Sequence, residues 1–114
     1  MTSHQLSTLL PATILAALDA GRAILEIYQH DTKIEYKADK SPLTAADRAS
    51  HEILSRHLKA APIKIPILSE EGRDIPFSER QEWKTFWLVD PLDGTKEFIK
   101  HNGEFTVNIA LVQN

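Results

Sequence analysis

The sequence predicts a single domain of mixed helix and strand, an α/β fold of the α+β kind, over residues 1–114. Apolar residues recur at helical spacing near the N-terminus, a capping pattern marks a second helix, and short apolar runs typical of strands follow. Two of those runs end in acidic residues. With 42% hydrophobic and 25% charged residues, the composition is that of a globular domain with a core.

Composition also excludes several classes of function. The net charge of -3 argues against nonspecific binding of nucleic acid. Without cysteine, any metal must be held by oxygen or imidazole ligands. The N-terminus lacks a basic region, and Pro11, Asp19 and Arg22 interrupt the only apolar stretch, so we expect no integral membrane segment and a cytoplasmic location.

The first helix is predicted from Pro11, which suits a first helical turn, and is expected to run for about five turns. Gly21 in a helix interior costs roughly 1 kcal/mol relative to alanine, so it predicts a close contact with another helix. Apolar residues at helical spacing define the face that we expect to be buried: Ile14, Ala17, Leu18, Gly21, Ile24, Leu25 and Tyr28.

A short edge strand is expected at residues 34–37, followed by a second helix that begins at Thr44. Pro42 disfavours helix just before it, and Thr44 with Asp47 three residues later forms a capping-box pattern. Taken alone, Asp47 is a carboxylate that stabilises the helix N-terminus by roughly 0.3–1 kcal/mol. The residues expected to face the core are Ala46, Ala49, Ile53 and His57.

The next strand is predicted at residues 66–68, where an apolar run leads into acidic residues. Glu70 lies at its end, whereas Glu71 is interpreted as part of a solvated turn. Residues 73–84 are polar and predict a surface excursion with a short helix that starts at Ser78.

The clearest strand covers residues 104–112, with one apolar face formed by Phe105, Val107, Ile109 and Leu111. Its edge would be free in a chain that stops at Asn114. We therefore expect a second copy of the chain, or a missing C-terminal half, to cover the sheet.

Residues 87–95 join a predicted strand at 86–89 to two carboxylates and a tight turn. Asp90 falls at the strand end, and Pro91, which has no N–H group, is expected to stop the ladder there. Asp93-Gly94 is a turn dipeptide, after which Thr95 is expected to cap a short helix at 96–100.

The start of that short helix predicts a site for an anion. The N–H groups of Gly94, Thr95 and Lys96 would be free to bind it. Nearby carboxylates tolerate an anion only when cations lie between them, so the combination predicts Mg²⁺ together with phosphate. If the two acidic strand ends are neighbours in one sheet, Glu70 lies beside Asp90.

The spacing of the acids distinguishes between phosphate chemistries. A haloacid dehalogenase-type phosphatase needs an aspartate two residues before the Asp-Gly-Thr turn, where this chain has Pro91. An EF-hand loop needs alternating oxygen ligands and a terminal glutamate, which are also missing. The remaining arrangement has Asp90 bridging two metals about 3.5–4 Å apart, with the Leu92 carbonyl and Asp93 each binding one.

The motif Asp90-Pro91-Leu92-Asp93-Gly94-Thr95, preceded by Ser69-Glu70-Glu71 and by Thr44-x-x-Asp47, resembles the inositol monophosphatase superfamily of Mg²⁺-dependent, lithium-sensitive phosphatases. Residues 96–100 and 102–111 are most similar to its 3'(2'),5'-bisphosphate nucleotidase branch, since inositol phosphatases usually carry Thr-Asn-Phe in place of Lys96-Glu97-Phe98. The resemblance covers only the N-terminal half of the family's length. It implies the N-terminal portion of a layered α-β-α-β-α sandwich with an antiparallel sheet.

Carried over to this sequence, the resemblance implies about two to three Mg²⁺ ions per site. Their implied ligands are Glu70, Asp90, the Leu92 carbonyl oxygen and Asp93. Thr95, hydrogen-bonded to Asp47, would orient the attacking water and help to deprotonate it. The implied substrate contacts are Glu70, Leu92, Asp93, Gly94 and Thr95.

The implied reaction hydrolyses a small phosphorylated nucleotide, adenosine 3',5'-bisphosphate, to AMP and phosphate without a covalent phosphoenzyme. This reaction clears a by-product of sulfate activation, and 3'-phosphoadenylyl sulfate is a further implied substrate. The resemblance also implies peripheral attachment to the cytoplasmic face of the inner membrane as an alternative to a free cytoplasmic enzyme.

Two other functions remain open. One is a phosphatase of the same superfamily that acts on inositol or sugar phosphates, and the other is a non-catalytic module that binds Mg²⁺. We further expect that residues 1–114 alone are inactive, because the missing half would supply another metal-binding aspartate and much of the substrate pocket.

Overall fold

The computed structural model describes residues 1–29, 34–36, 42–72 and 74–113. The domain mixes helices and strands as predicted, with one strand, β2, that was not predicted. The elements are α1 (Ser3–Tyr28), β1 (Ile34–Tyr36), β2 (Pro42–Thr44), α2 (Ala45–Lys59), β3 (Ile67–Ser69), α3 (Phe77–Arg80), β4 (Thr85–Asp93), α4 (Thr95–Ile99) and β5 (Thr106–Gln113). The predicted edge strand is β1, and its last predicted residue, Lys37, lies outside the described residues.

Strand β4 lies in the centre of a three-stranded sheet with the order β3-β4-β5. It pairs antiparallel with β5 but parallel with β3, so this part of the implied antiparallel sheet is mixed. Two parallel neighbouring strands must be joined by a crossover connection that returns the chain to the end of the sheet where the first strand began. The segment between Ser69 and Thr85 is this connection. A separate antiparallel pair is formed by β1 and β2.

Helix α1 begins earlier than predicted. Thr2 caps it in a capping box with Gln5, so the expectation that Pro11 lies in the first turn was wrong. Its buried residues are Leu9, Ala16, Ala20 and Ile24.

The predicted buried face of α1 was also largely wrong, because Leu18 is 58% exposed and Ile14 is 50% exposed. Apolar side chains surround this helix, so their spacing does not identify the face that packs. The small residues Ala16 and Ala20 are fully buried instead. A Cβ built on Gly21 meets no atom of the described residues within 4 Å, so the close contact predicted there is not found in this part of the chain.

By length and composition, α1 is the one helix among the described residues that could cross a membrane. The expectation that Pro11, Asp19 and Arg22 make the apolar stretch too short for a span was wrong, because the helix that contains all three is long and apolar enough by this criterion. A core helix passes the same test, and α1 contributes to the hydrophobic core with α2 and β4. The helix is therefore weak evidence for a membrane span.

Helix α2 packs against α1 and against strands β3 and β4 of the sheet. Its buried residues are Ala46, Asp47, Ser50, Leu54 and Leu58. The predicted core positions Ala49, Ile53 and His57 are only partly buried. The face differs from the prediction because two polar residues, Asp47 and Ser50, point inward and form hydrogen bonds there.

An aromatic cluster holds α4 against the rest of the domain. Phe98 is fully buried, and its ring centroid lies 5.2 Å from that of Tyr28 and 5.3 Å from that of Phe105. These contacts join the end of α1, the short helix α4 and the residue before β5. The turn before α4 is therefore fixed by packing on the side away from solvent.

Candidate metal and phosphate site

Strand β4 does not end at Asp90 as predicted but continues to Asp93 through an irregularity. Asp90 pairs with Asn108 and Asp93 pairs with Thr106, so β4 contains one residue more than β5 over this interval. This is the arrangement of a β-bulge, and it contains Pro91, which has no N–H to donate to a ladder. Bulges redirect side chains, and this one lies between the two predicted carboxylate ligands.

The parallel pairing of β3 and β4 brings the two acidic strand ends to the same edge of the sheet. Ser69 is in register with Val89, and the Glu70 N–H donates to the Val89 carbonyl at 3.0 Å. Glu70 therefore follows β3 beside the position of Asp90 on β4. The neighbourhood expected from the sequence is present.

The carboxylates at this edge interact electrostatically. Burial raises the pKa of the Asp90 carboxyl, and the negative charges of Asp93, Glu70 and Glu71 raise that pKa further. The Leu92 backbone N–H donates to Asp90 and lowers the same pKa. A cation bound among these groups would favour the ionised form of Asp90.

The oxygen atoms fit the requirements of Mg²⁺, which prefers carboxylate and carbonyl ligands. Within the described ranges, however, no three His, Asp or Glu side chains converge as a ready-made cation site. Asp93 is exposed, and its Oδ2 accepts a hydrogen bond from Asn108 Nδ2 at 3.3 Å. The ligand set of Glu70, Asp90, the Leu92 carbonyl and Asp93 stays a prediction.

Asp47 is fully buried and uses both carboxylate oxygens. Oδ2 accepts hydrogen bonds from the Thr44 backbone N–H at 2.9 Å and from the Thr44 hydroxyl at 2.5 Å. Oδ1 accepts a hydrogen bond from the Thr95 hydroxyl at 2.8 Å. The helix cap and the predicted contact with Thr95 are therefore both present on one carboxylate.

Thr95 is the first residue of α4, and the predicted capping role belongs to Gly94 instead. Gly94 is in the left-handed region with φ 94°, and its carbonyl accepts from the Phe98 N–H at 2.8 Å. A Cβ at Gly94 would lie 2.7 Å from the Glu104 carbonyl oxygen. Because Thr95 does not cap the helix, its hydroxyl can bind Asp47.

Three polar residues at this site were not predicted. Ser50 donates to the Pro91 carbonyl at 2.6 Å, His51 is hydrogen-bonded to Ser69, and Asn108 donates to Asp93. Ser50 and His51 lie three and four residues after Asp47 on α2, which is the spacing of neighbours on one helix face. That spacing from Asp47 could have identified Ser50 and His51 in the sequence. They were missed because the buried face of α2 was assigned to its apolar residues.

The sheet edge, the Asp-Gly-Thr turn and the capped helix belong to a domain of mixed helix and strand, and a direct comparison identifies its family. The family model described as inositol monophosphatase family matches residues 5–114. The chain belongs to the inositol monophosphatase family, as its motifs indicated.

Individual relatives refine this assignment. The 3'(2'),5'-bisphosphate nucleotidase CysQ of Salmonella typhimurium is 55% identical over 100 residues, which are 85% of this chain and 40% of that protein. The crystal structure of CysQ from Bacteroides thetaiotaomicron has 59% identity and a TM-score of 0.74, covering 90% of this chain and 37% of that one. The suhB protein of Bartonella henselae has 29% identity and a TM-score of 0.79, covering 92% and 40%.

The chain spans about 40% of the length of the curated relatives that it matches. It corresponds to the N-terminal part of the family fold, as the sequence predicted.

Proposed function

We propose that the full-length protein is a Mg²⁺-dependent 3'(2'),5'-bisphosphate nucleotidase of the cytoplasm. Its substrate would be adenosine 3',5'-bisphosphate, with 3'-phosphoadenylyl sulfate as a second substrate. The similarity to CysQ proteins supports this choice within the family. The observation that carries it is the Thr95–Asp47 hydrogen bond next to a sheet edge where three other carboxylates act on Asp90.

Glu70, Asp90, the Leu92 carbonyl and Asp93 are the groups that would hold Mg²⁺, with Asp90 shared between ions. When bound, Mg²⁺ supplies positive charge that offsets the charge of the phosphate and lowers the pKa of water. The raised pKa of Asp90 is consistent with this role, because crowded carboxylates gain most from a cation. The same groups, apart from Asp90, are proposed to contact the substrate phosphate through the ions.

Thr95 and Asp47 are proposed to orient the attacking water. The Thr95 hydroxyl donates its proton to Asp47 Oδ1, so its oxygen lone pairs can accept a hydrogen bond from water. Asp47 is fully buried, so the surrounding side chains hold its carboxylate in the orientation that places Oδ1 at the Thr95 hydroxyl. Proton transfer from water toward this pair as phosphorus is attacked is general-base assistance, typically about 10²–10⁴-fold in rate.

The backbone amides of Gly94 and Thr95 are proposed to bind phosphate oxygens. Gly94 reaches the required left-handed conformation without a Cβ, while the Glu104 carbonyl closes the other side of the turn. Packing of Phe98 then holds α4 in place behind these amides. The phosphate would meet a fixed turn, which lowers the cost of ordering on binding.

Substrate choice within the family would depend mainly on the part of the full-length protein beyond residues 1–114, which would form most of the pocket. The feature that favours the nucleotide is the Lys96-Glu97-Phe98-Ile99-Lys100 segment. A sibling phosphatase for inositol or sugar phosphates is the alternative that the experiment must separate.

The experiment measures phosphate release by the full-length protein with Mg²⁺. We expect much faster release from adenosine 3',5'-bisphosphate than from inositol 1-phosphate or fructose 1,6-bisphosphate. We also expect inhibition by Li⁺ and by excess Ca²⁺, which do not share the octahedral preference of Mg²⁺. Equal rates, or a preference for inositol phosphate, would assign the protein to the sibling group, and absence of turnover on all three would favour a non-catalytic module.

A further inference from the structure

Helix α2 contacts each of the three segments that carry the predicted site residues. Asp47 accepts from Thr95 at the start of α4, and Ser50 donates to the Pro91 carbonyl within the bulge of β4. His51 Nδ1 lies 3.0 Å from Ser69 Oγ at the end of β3. These contacts come from one face of the helix, so a rigid element sets the relative positions of all three segments.

The contact made by His51 supports the turn that carries Glu70. Ser69 Oγ also accepts from the Glu71 N–H at 3.3 Å, and the Ser69 carbonyl accepts from the Gly72 N–H at 3.1 Å. A Cβ built on Gly72 would lie 3.6 Å from Cε1 of the His51 ring, so the ring also packs beside the end of this turn. The turn is thereby closed on itself and held to α2 by one imidazole.

We propose that His51 is a positioning residue that, through Ser69, sets the place of the Glu70 carboxylate relative to Asp90 and thereby the affinity of the site for a divalent cation. The inference rests on the proposed function only in that Glu70 and Asp90 share an ion. The Glu70 backbone is already bonded to Val89 on β4, so His51 provides the second anchor, from the helix side. Two anchors on either side of Glu70 restrict the turn more than either one alone.

A second histidine on α2 provides a matched control. His57 Nε2 lies 2.8 Å from Asp19 Oδ2 and joins α2 to α1, away from the sheet edge. Both histidines are partly buried and each makes a hydrogen bond to another element. Loss of His57 therefore reports what an interhelical contact contributes without any effect on Glu70.

The test compares His51→Ala, Ser69→Ala, His51→Asn and His57→Ala in the full-length protein. For each variant, Mg²⁺ binding is measured by calorimetry without substrate. The thermal midpoint of unfolding and the Mg²⁺ concentration that gives half-maximal activity are measured as well. Loss of a group that orients a metal ligand typically costs about 10–100-fold in affinity, and we expect about tenfold or more for His51→Ala and for Ser69→Ala. The double variant His51→Ala/Ser69→Ala should bind Mg²⁺ no more weakly than the single variant with the lower affinity, since both substitutions remove the same contact.

The conservative variant and the control sharpen the test. Asn can place its amide group near the position of imidazole Nδ1 and can either donate to Ser69 Oγ or accept from it, so His51→Asn should recover most of the affinity. His57→Ala should lower the thermal midpoint and leave Mg²⁺ affinity within about twofold of wild type. If His51→Ala and Ser69→Ala behave like His57→Ala, the positioning role is wrong.

The outcome is distinguishable from failure of the proposed function. If the protein does not hydrolyse the bisphosphate but His51→Ala still weakens Mg²⁺ binding, the function is wrong and the positioning role stands. If hydrolysis is robust and Mg²⁺ affinity is unchanged in both variants, the function stands and the positioning role is overturned. Should His51→Ala not fold, Ser69→Ala decides by the same measurement.

Discussion

The hydroxyl of Thr95 lies 2.8 Å from Oδ1 of Asp47, a residue 48 positions earlier in the chain. The other oxygen of that carboxylate closes the capping box with Thr44. Because each role uses its own oxygen, stabilising α2 and orienting Thr95 do not compete. The two roles can be separated by measuring stability and rate on the same variants.

Asp47→Asn is expected to lower kcat by about 10²-fold or more while Mg²⁺ affinity changes little, because the amide is a much weaker base behind Thr95. The control is Thr2→Ala, which removes the same kind of capping box from α1, away from the site. It should cost up to about 1 kcal/mol of stability with no change in kcat. Steady-state kinetics and chemical denaturation measure both. If Asp47→Asn resembles the control, its carboxylate is only a helix cap.

Asp90→Asn is expected to stabilise the metal-free protein while weakening Mg²⁺ binding. Since the pKa of Asp90 is raised in the folded state above 3.8, the folded protein binds its proton more tightly than the unfolded chain does. Stability should therefore fall as pH rises from the ordinary value through the raised one, and the neutral amide removes this loss. Thermal midpoints in a chelator, measured from about pH 4 to pH 7, test the sign. If the thermal midpoint of Asp90→Asn at pH 7 were below that of wild type, the claim that burial and neighbouring carboxylates destabilise the ionised Asp90 would be wrong.

Gly94→Ala is expected to be strongly destabilising because two costs combine. The residue has φ 94°, and the new Cβ would lie 2.7 Å from the Glu104 carbonyl oxygen. Gly103 has φ 76°, and a Cβ there would meet no atom of the described part of the chain within 4 Å, so it supplies the control for backbone strain alone. Gly103→Ala should cost about 1–2 kcal/mol, and Gly94→Ala clearly more. Equal losses in denaturation experiments would show that the turn relaxes around the added methyl group.

Gly21→Ala should stabilise the protein by up to about 1 kcal/mol. Gly21 lies inside α1 with no atom near the position of a Cβ, so alanine gains helix propensity without a clash. Denaturant midpoints measure the change, and activity should stay at the wild-type level. A loss of stability would indicate that another part of the full-length protein packs closely at Gly21.

Local rules predicted the features that depend on neighbours in sequence. The capping box of Thr44 and Asp47 needs residues only three positions apart, and it is present. The strands that carry Glu70 and Asp90 were predicted from their apolar runs, and they are neighbours in the sheet. The parallel pairing of these two strands brings the acids to one edge of the sheet. The antiparallel sheet implied by the resemblance did not predict this pairing.

Features set by tertiary packing were not predicted. The buried face of α1 depends on which side meets α2, and apolar residues on every side of the helix hid that choice. Ser50 and His51 find partners 41 and 18 residues away, so their spacing from Asp47 indicates a shared helix face but not what that face contacts. The bulge at Pro91 likewise depends on the register with β5, which the sequence of β4 alone does not contain.

The long chain separations of the α2 contacts have a consequence for the order of folding. Asp47 meets Thr95 only after a segment of 48 residues has closed, and closure of long loops costs entropy before any contact repays it. The contact that orients the Thr95 hydroxyl should therefore form late in refolding, after the helices and the β4–β5 pair have formed. In the native state, an opening fluctuation that lifts α2 from the sheet would separate Asp47 from Thr95 while the strands remain paired, so the orientation of the Thr95 hydroxyl would follow the motion of this helix.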